Sequence, residues 1–141
     1  MAEAAVKRLP GFGGDVSARR SVLIVDDDLA LVRVLALYFE GQGYEVQTAR
    51  SGSEALLKLG GDPDVVVLDV MIPDVNGIEV CRRIRESPHA RAIPVLIMTA
   101  DRRYEIPAME AGADRFVSKP FGLIDLGAAV SDMMPAESAA D

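Results

Sequence analysis

The chain is poor in the residues that staple folds, bind soft metals or cross membranes. One cysteine, Cys81, in 141 residues excludes an internal disulfide and a cysteine-rich metal site. A lone thiol suits a reducing compartment, so a cytoplasmic protein is expected. There is one histidine, His89, in a loop rich in proline and arginine, and no tryptophan. No apolar run is long enough to cross a bilayer, and the N-terminus lacks the apolar centre of a secretory signal. Positive charge is also short: 15 Lys and Arg against 22 Asp and Glu leave a net charge of −7. General nucleic-acid binding needs a basic footprint and is disfavoured, whereas a basic protein partner is not.

What the chain does have is apolar residues in a regular rhythm. Half of it is hydrophobic, enough for one domain with one core. Residues 1–20 read as a flexible tail, because Leu9-Pro10-Gly11-Phe12-Gly13-Gly14 is dense in breakers. Residues 135–141 are small and polar and are expected to fray. Between them, residues 21–134 alternate strand and helix. Strands are expected at 22–25, 44–49, 64–68, 93–98 and 115–118. Helices are expected at 29–40, from Ser51 to Leu59, from Asn76 to just before Pro88, between Arg103 and Ala111, and at 123–134. Asp28 is a good N-cap, and Ser51-Gly52-Ser53-Glu54 matches a capping box. Five such β–α units with right-handed crossovers predict an α/β doubly wound parallel sheet. The most apolar strands (first, third, fourth) belong in the middle and the alternating second at an edge. That is the flavodoxin-like order 2-1-3-4-5.

The charged residues fall where this architecture puts its working end. Asp26, Asp27 and Asp28 follow Val22-Leu23-Ile24-Val25, Asp69 follows Val65-Val66-Val67-Leu68, and Lys119 follows Phe116-Val117-Ser118. Sites in open α/β sheets lie beyond the carboxyl ends of the strands, so Asp26, Asp27, Asp69 and Lys119 converge. Asp28 is read as a cap alone. Crowded carboxylates repel, and a hard divalent cation, Mg2+, relieves the repulsion with oxygen ligands. No histidine or cysteine stands at a strand end, which disfavours zinc. A carboxylate so placed and faced by a lysine can be a nucleophile toward a phosphoryl group. Thr99, after the fourth strand, offers a hydroxyl for a phosphoryl oxygen and Lys119 a point charge for another.

These residues resemble a known family. The stretches 22–28, 67–77, Ile97-Met98-Thr99-Ala100, Ala111-Gly112-Ala113-Asp114 and Ser118-Lys119-Pro120-Phe121 are similar to a response-regulator receiver domain (CheY-like) of bacterial two-component signalling, over residues 21–134. The resemblance implies that Asp69 accepts a phosphoryl group from a histidine kinase. It implies Mg2+ held by Asp27, Asp69 and the Met71 backbone carbonyl, with Asp26 acting largely through water. Thr99 and Lys119 would bind phosphoryl oxygens, and Lys119-Pro120 would be cis. Phe116 stands where the family has a switch aromatic that moves with Thr99, and without a hydroxyl it reports by packing alone. The implied partners are a sensor histidine kinase or phosphotransfer protein and a downstream protein, with no direct nucleic-acid contact and no membrane insertion.

The chain also departs from the family. The segment from Thr99 to Lys119 is a little short and carries Pro107, so the fourth helix is expected to be short, late-starting or distorted. The first helix is apolar all round: Leu31, Val34, Leu35 and Tyr38 are assigned to the core, and Val32, Ala36 and Leu29 to an exposed docking strip. Met71, two residues after Asp69, and Asp101, two after Thr99, are expected to tune the lifetime of the phosphorylated form, with apolar Met71 slowing self-hydrolysis.

The expected function is a single-domain response regulator: a phospho-accepting switch, not an enzyme beyond self-phosphorylation and self-dephosphorylation. The alternatives are the receiver part of a larger DNA-binding transcriptional regulator, and a phosphorelay or phosphate-sink intermediate. An aspartyl-phosphate phosphatase is disfavoured, because Met71 stands where that class needs a second acid. A dinucleotide-binding role fails for want of a glycine-rich turn after the first strand.

Overall fold

A computed structural model describes residues 19–135. The expected N-terminal tail and frayed C-terminus therefore lie almost wholly outside the described residues. The elements alternate as β1 Ser21–Val25, α1 Leu29–Gly41, β2 Glu45–Ala49, α2 Gly52–Lys58, β3 Val65–Asp69, α3 Gly77–Glu86, β4 Val95–Thr99, α4 Glu105–Glu110, β5 Arg115–Ser118 and α5 Leu123–Met133. All strand pairs are parallel, in the order β2-β1-β3-β4-β5.

Burial follows the strand order. Every residue of β3 and β4 is buried, as a strand covered on both faces must be, whereas β2 and β5 sit at the edges half-covered. Because side chains alternate across a strand, each central strand feeds two cores. Leu23, Val25, Val66, Leu68, Val95 and Ile97 pack with Ala55, Val80, Cys81, Ile84 and Ala108 from α2, α3 and α4. Val22, Ile24, Val65, Val67, Leu96 and Met98 pack with Val32, Leu35 and Phe39 of α1 and Leu126 and Val130 of α5. From Val22 on, the side chains of β1, β3 and β4 are thereby committed to packing until the carboxyl ends of the strands, where polar groups begin.

The core face expected for α1 is right only in part: Leu35 is buried and Leu31 and Tyr38 pack against the same core, but Val34 turns outward and Val32, assigned to the docking strip, turns in. Its buried residues are Val32, Leu35 and Phe39, and Val34 is 47% exposed. The spacing i, i+3, i+7 is one helical face, but α1 is apolar on several faces, so hydrophobicity alone could not select it. Phe39 is fully buried in the core shared with α5 and packs its ring against Tyr44. Val32 is therefore a core residue, not part of a docking strip. Ala36 is half-buried and Leu29 is 40% exposed, while Leu37, at 71%, is the most exposed apolar side chain of the helix.

The fourth helix is short, as Pro107 predicts. A single 3-10 turn, Arg102–Tyr104, precedes six helical residues in α4. Pro107 is the third of these, a position whose amide has no partner within its own helix, so the ring costs no hydrogen bond. Its carbonyl accepts from Ala111 N at 3.0 Å, and Gly112, at φ +108°, turns the chain into β5.

Candidate phosphoryl and metal site

Three strand ends meet at one place. Among the described residues, the buried polar side chains are Asp26, Asp69 and Thr99, exposed by 1%, 5% and 1%. Each is the first polar residue after an unbroken apolar run of a central strand. Lys119, from the end of β5, reaches across the sheet. Its Nζ lies 2.7 Å from Asp26 Oδ2 and 3.1 Å from Asp69 Oδ2. Asp26, Asp27 and Asp69 present carboxylate oxygens within 4.8 Å of one another, with Asp27 the exposed member. The structure brings Asp26, Asp27, Asp69 and Lys119 together, and Thr99 is buried at the neighbouring end of β4.

Backbone bonds aim these groups. Asp26 Oδ1 accepts from Asp28 N at 3.0 Å, and Asp28 in turn caps α1 by accepting from Leu31 N at 3.2 Å. Asp69 Oδ1 accepts from Met71 N at 3.3 Å, while the Met71 side chain points outward at 59% exposure. The Lys119 amide donates to Thr99 O at 2.9 Å, pinning the lysine's own backbone to the end of β4. The Lys119–Pro120 bond is cis. Phe116 is half-buried and packs into the core on the α2–α4 side. Gly77 opens α3 against β3: a Cβ there would stand 2.1 Å from Asp69 O, so only glycine permits this approach.

The electrostatics are those of a site short of positive charge. Burial, and then the neighbouring Asp26 charge, push the Asp69 carboxyl above its ordinary range; Lys119 and the Met71 amide only partly oppose them. Burial acts to lower the Lys119 ammonium, but its hydrogen bond to Asp26 and the charges of Asp69 and Asp26 outweigh it and hold it above its ordinary value. Three carboxyl groups against one ammonium make a site that a divalent cation would suit. The donor set is oxygen only, with an exposed Asp27 on the solvent side, which fits magnesium and its retained waters and not zinc.

Sequence reasoning missed what surrounds this pocket. A cleft beside it is lined by Asp27, Met71, Asn76, Ile78, Arg82 and Tyr104. Asp74 adopts φ +61°, the left-handed region, and its Oδ1 accepts from Ser53 N at 2.9 Å and Val75 N at 2.5 Å. The only signal for the Ser53 bond was the capping box around it, which says nothing about a partner 21 residues away.

Comparison with known proteins agrees with this geometry. The family description "Response regulator receiver domain" matches residues 22–131. The chain belongs to the response regulator receiver family. Its relatives include the phosphate regulon transcriptional regulatory protein PhoB of Rhizobium meliloti, 37% identical over 116 residues that make up 80% of this chain and 51% of that protein. The response regulator PleD of Caulobacter vibrioides is 40% identical over 84% of this chain but only 26% of its own length. Among solved structures, a response regulator from Chloroflexus aurantiacus superposes with a TM-score of 0.77 at 36% identity, covering 82% of this chain and 97% of that one. The chemotaxis protein CheY4 of Vibrio cholerae gives the same TM-score of 0.77 at 28% identity, covering 82% and 99%. The receiver spans about half the length of the first curated relatives it matches. Receivers are switches of two-component signalling, and no helix among the described residues of this one is long and apolar enough to cross a membrane.

Proposed function

We propose that this receiver takes a phosphoryl group onto Asp69 from the phosphohistidine of a sensor histidine kinase or phosphotransfer protein. The observation that carries the reading is Lys119 Nζ, bonded at once to Asp26 and Asp69. It marks Asp69 as a carboxylate already paired with the cation that a phosphoryl oxygen would next engage.

The residues divide the work. Asp69 attacks phosphorus, the bond to the imidazole nitrogen breaks, and an acyl phosphate forms on the carboxylate. Asp27, Asp69 and the Met71 carbonyl would hold magnesium, with Asp26 reaching it through water. When bound, magnesium supplies the positive charge that the spreading negative charge of phosphoryl transfer requires. Lys119 exchanges its Asp69 contact for a phosphoryl oxygen, and the Thr99 hydroxyl takes another. Phe116 repacks as Thr99 moves. The surface of α4, β5 and α5 then shifts between two arrangements that a protein partner distinguishes. The receiver acts here as a single switching module read by a separate protein.

A second reading has support from the relatives. In the transcriptional regulators the matched region is about half of the protein, which favours a receiver that serves an attached DNA-binding module. The chemistry at Asp69 is the same in both.

Incubation with magnesium and acetyl phosphate, followed by intact mass, tests the shared chemistry. The wild-type chain should gain the mass of one phosphoryl group and Asp69→Asn should gain none. An unmodified wild type, or an equally modified Asp69→Asn, would defeat the proposal.

A further inference from the structure

The turn that follows Asp69 is bolted to an element that carries none of the site residues. It runs from Val70 to Asn76 and is closed within itself by Ile72 N and Gly77 N, which both donate to Val70 O at 3.1 Å and 2.9 Å. Its far side rests on the first turn of α2. Gly52 N donates to Pro73 O at 3.2 Å, and Ser53 N donates to the Asp74 carboxylate at 2.9 Å. The approach is so close that a Cβ on Gly52 would lie 2.0 Å from Val75 O. Asp74 enters the left-handed region to make the contact, at φ +61°, a cost that a non-glycine residue incurs only where other bonds hold it.

From this geometry we infer that Asp74 and Gly52 are positioning residues for the phosphoryl site: they latch the turn so that Met71 N keeps Asp69 Oδ1 in place and the Met71 carbonyl stays on the metal side. The inference rests on the proposed phosphoryl chemistry. The physical need is plain. Asp69 sits against the like charge of Asp26, and the turn behind it begins where the sheet ladder ends. A turn free to relax would let the two carboxylates move apart and dissolve the cation site before any ion arrived. The latch holds the repulsive arrangement from outside. It also makes α2, whose Leu57 stands 80% exposed, mechanically continuous with the site.

The latch separates three variants cleanly. Asp74→Gly keeps the backbone conformation and deletes the acceptor. Asp74→Asn keeps the acceptor oxygen, tolerates the same φ and deletes the charge. Gly52→Ala leaves Asp74 intact and drives a methyl group against the Val75 carbonyl. Magnesium affinity by calorimetry is the readout, with the melting temperature in the absence of magnesium as the control for folding. Asp74→Gly and Gly52→Ala should bind magnesium about tenfold more weakly, the scale of losing an outer partner of a metal ligand. Asp74→Asn should bind within about twofold of wild type, since the supporting bond survives. Wild-type affinity in a folded Asp74→Gly overturns the inference, and so does an Asp74→Asn as weak as Asp74→Gly, which would assign the effect to charge. A wild type that binds magnesium and is phosphorylated while the variants bind equally well defeats the latch alone. A wild type that binds no magnesium defeats both the latch and the proposed function.

Discussion

Asp69 sits in an environment that disfavours its charge. Burial and Asp26 raise its pKa in the folded chain above the value in the unfolded one. The sign of the linkage follows: the folded state holds the Asp69 proton more tightly, so this group adds stability in acid and withdraws it as pH rises through the folded value. Asp69→Asn removes the ionisation and should make the magnesium-free protein more resistant to urea at neutral pH, with the difference closing in acid. Urea unfolding at several pH values measures it; an Asp69→Asn protein less stable than wild type at neutral pH would contradict the account. Burial acts in the same direction on Cys81. Burial pushes its thiol above the usual range and its Sγ faces Ala111 O, so a thiol reagent should label it only after denaturation. These two residues also show what a sequence reveals at this scale. An acid or base standing where an apolar run stops was legible, because a buried strand has no other use for a charge. Asp74 was not, because its partner lies on another element and nothing local demands its backbone conformation.

At the scale of elements, helix starts were legible and helix phase was not. Ser51 caps α2 as the motif predicts, its Oγ accepting from Glu54 N at 3.1 Å, but the return bond reaches one residue further back: Glu54 Oε1 accepts from Arg50 N at 2.9 Å rather than from the cap's own amide. Ser51→Ala should cost about 1 kcal/mol in a denaturant titration. The Glu54 carboxyl is held below its ordinary range chiefly by the Arg50 amide, so its contribution is present above the unfolded pKa and fades as pH falls through the folded one. Pro107 predicted a short α4 because proline acts on its own helix. In α1 the phase depended on the sheet, and a helix whose charged residues are Arg33 and Glu40 alone carries little record of which face that is. Val32→Glu should therefore unfold the protein or strip several kcal/mol from it, as an unpaired buried charge does, while Val34→Glu should stay within about 0.5 kcal/mol of wild type. Comparable stabilities for the two would contradict the observed packing.

At the scale of the whole molecule, the topology was readable because the strands differ in polarity. Wholly apolar strands had to be central, and their ends had to lie side by side. The sheet gathers Asp26, Asp27, Asp69, Thr99 and Lys119 from four strand ends into one site, and the cost of their mutual repulsion is met by the two cores beneath. Cation binding should therefore feed back on global stability. At a hundred times its dissociation constant, magnesium should add about 2.7 kcal/mol to unfolding of the wild type and far less to that of Asp27→Asn. The most direct test of the central claim locates the phosphoryl group itself. Borohydride reduction of the phosphorylated chain converts an aspartyl phosphate to homoserine, and peptide mass mapping reads its position. The account predicts homoserine at residue 69 and nowhere else; reduction at another aspartate, or phosphate retained on a hydroxyl or imidazole side chain, would contradict it.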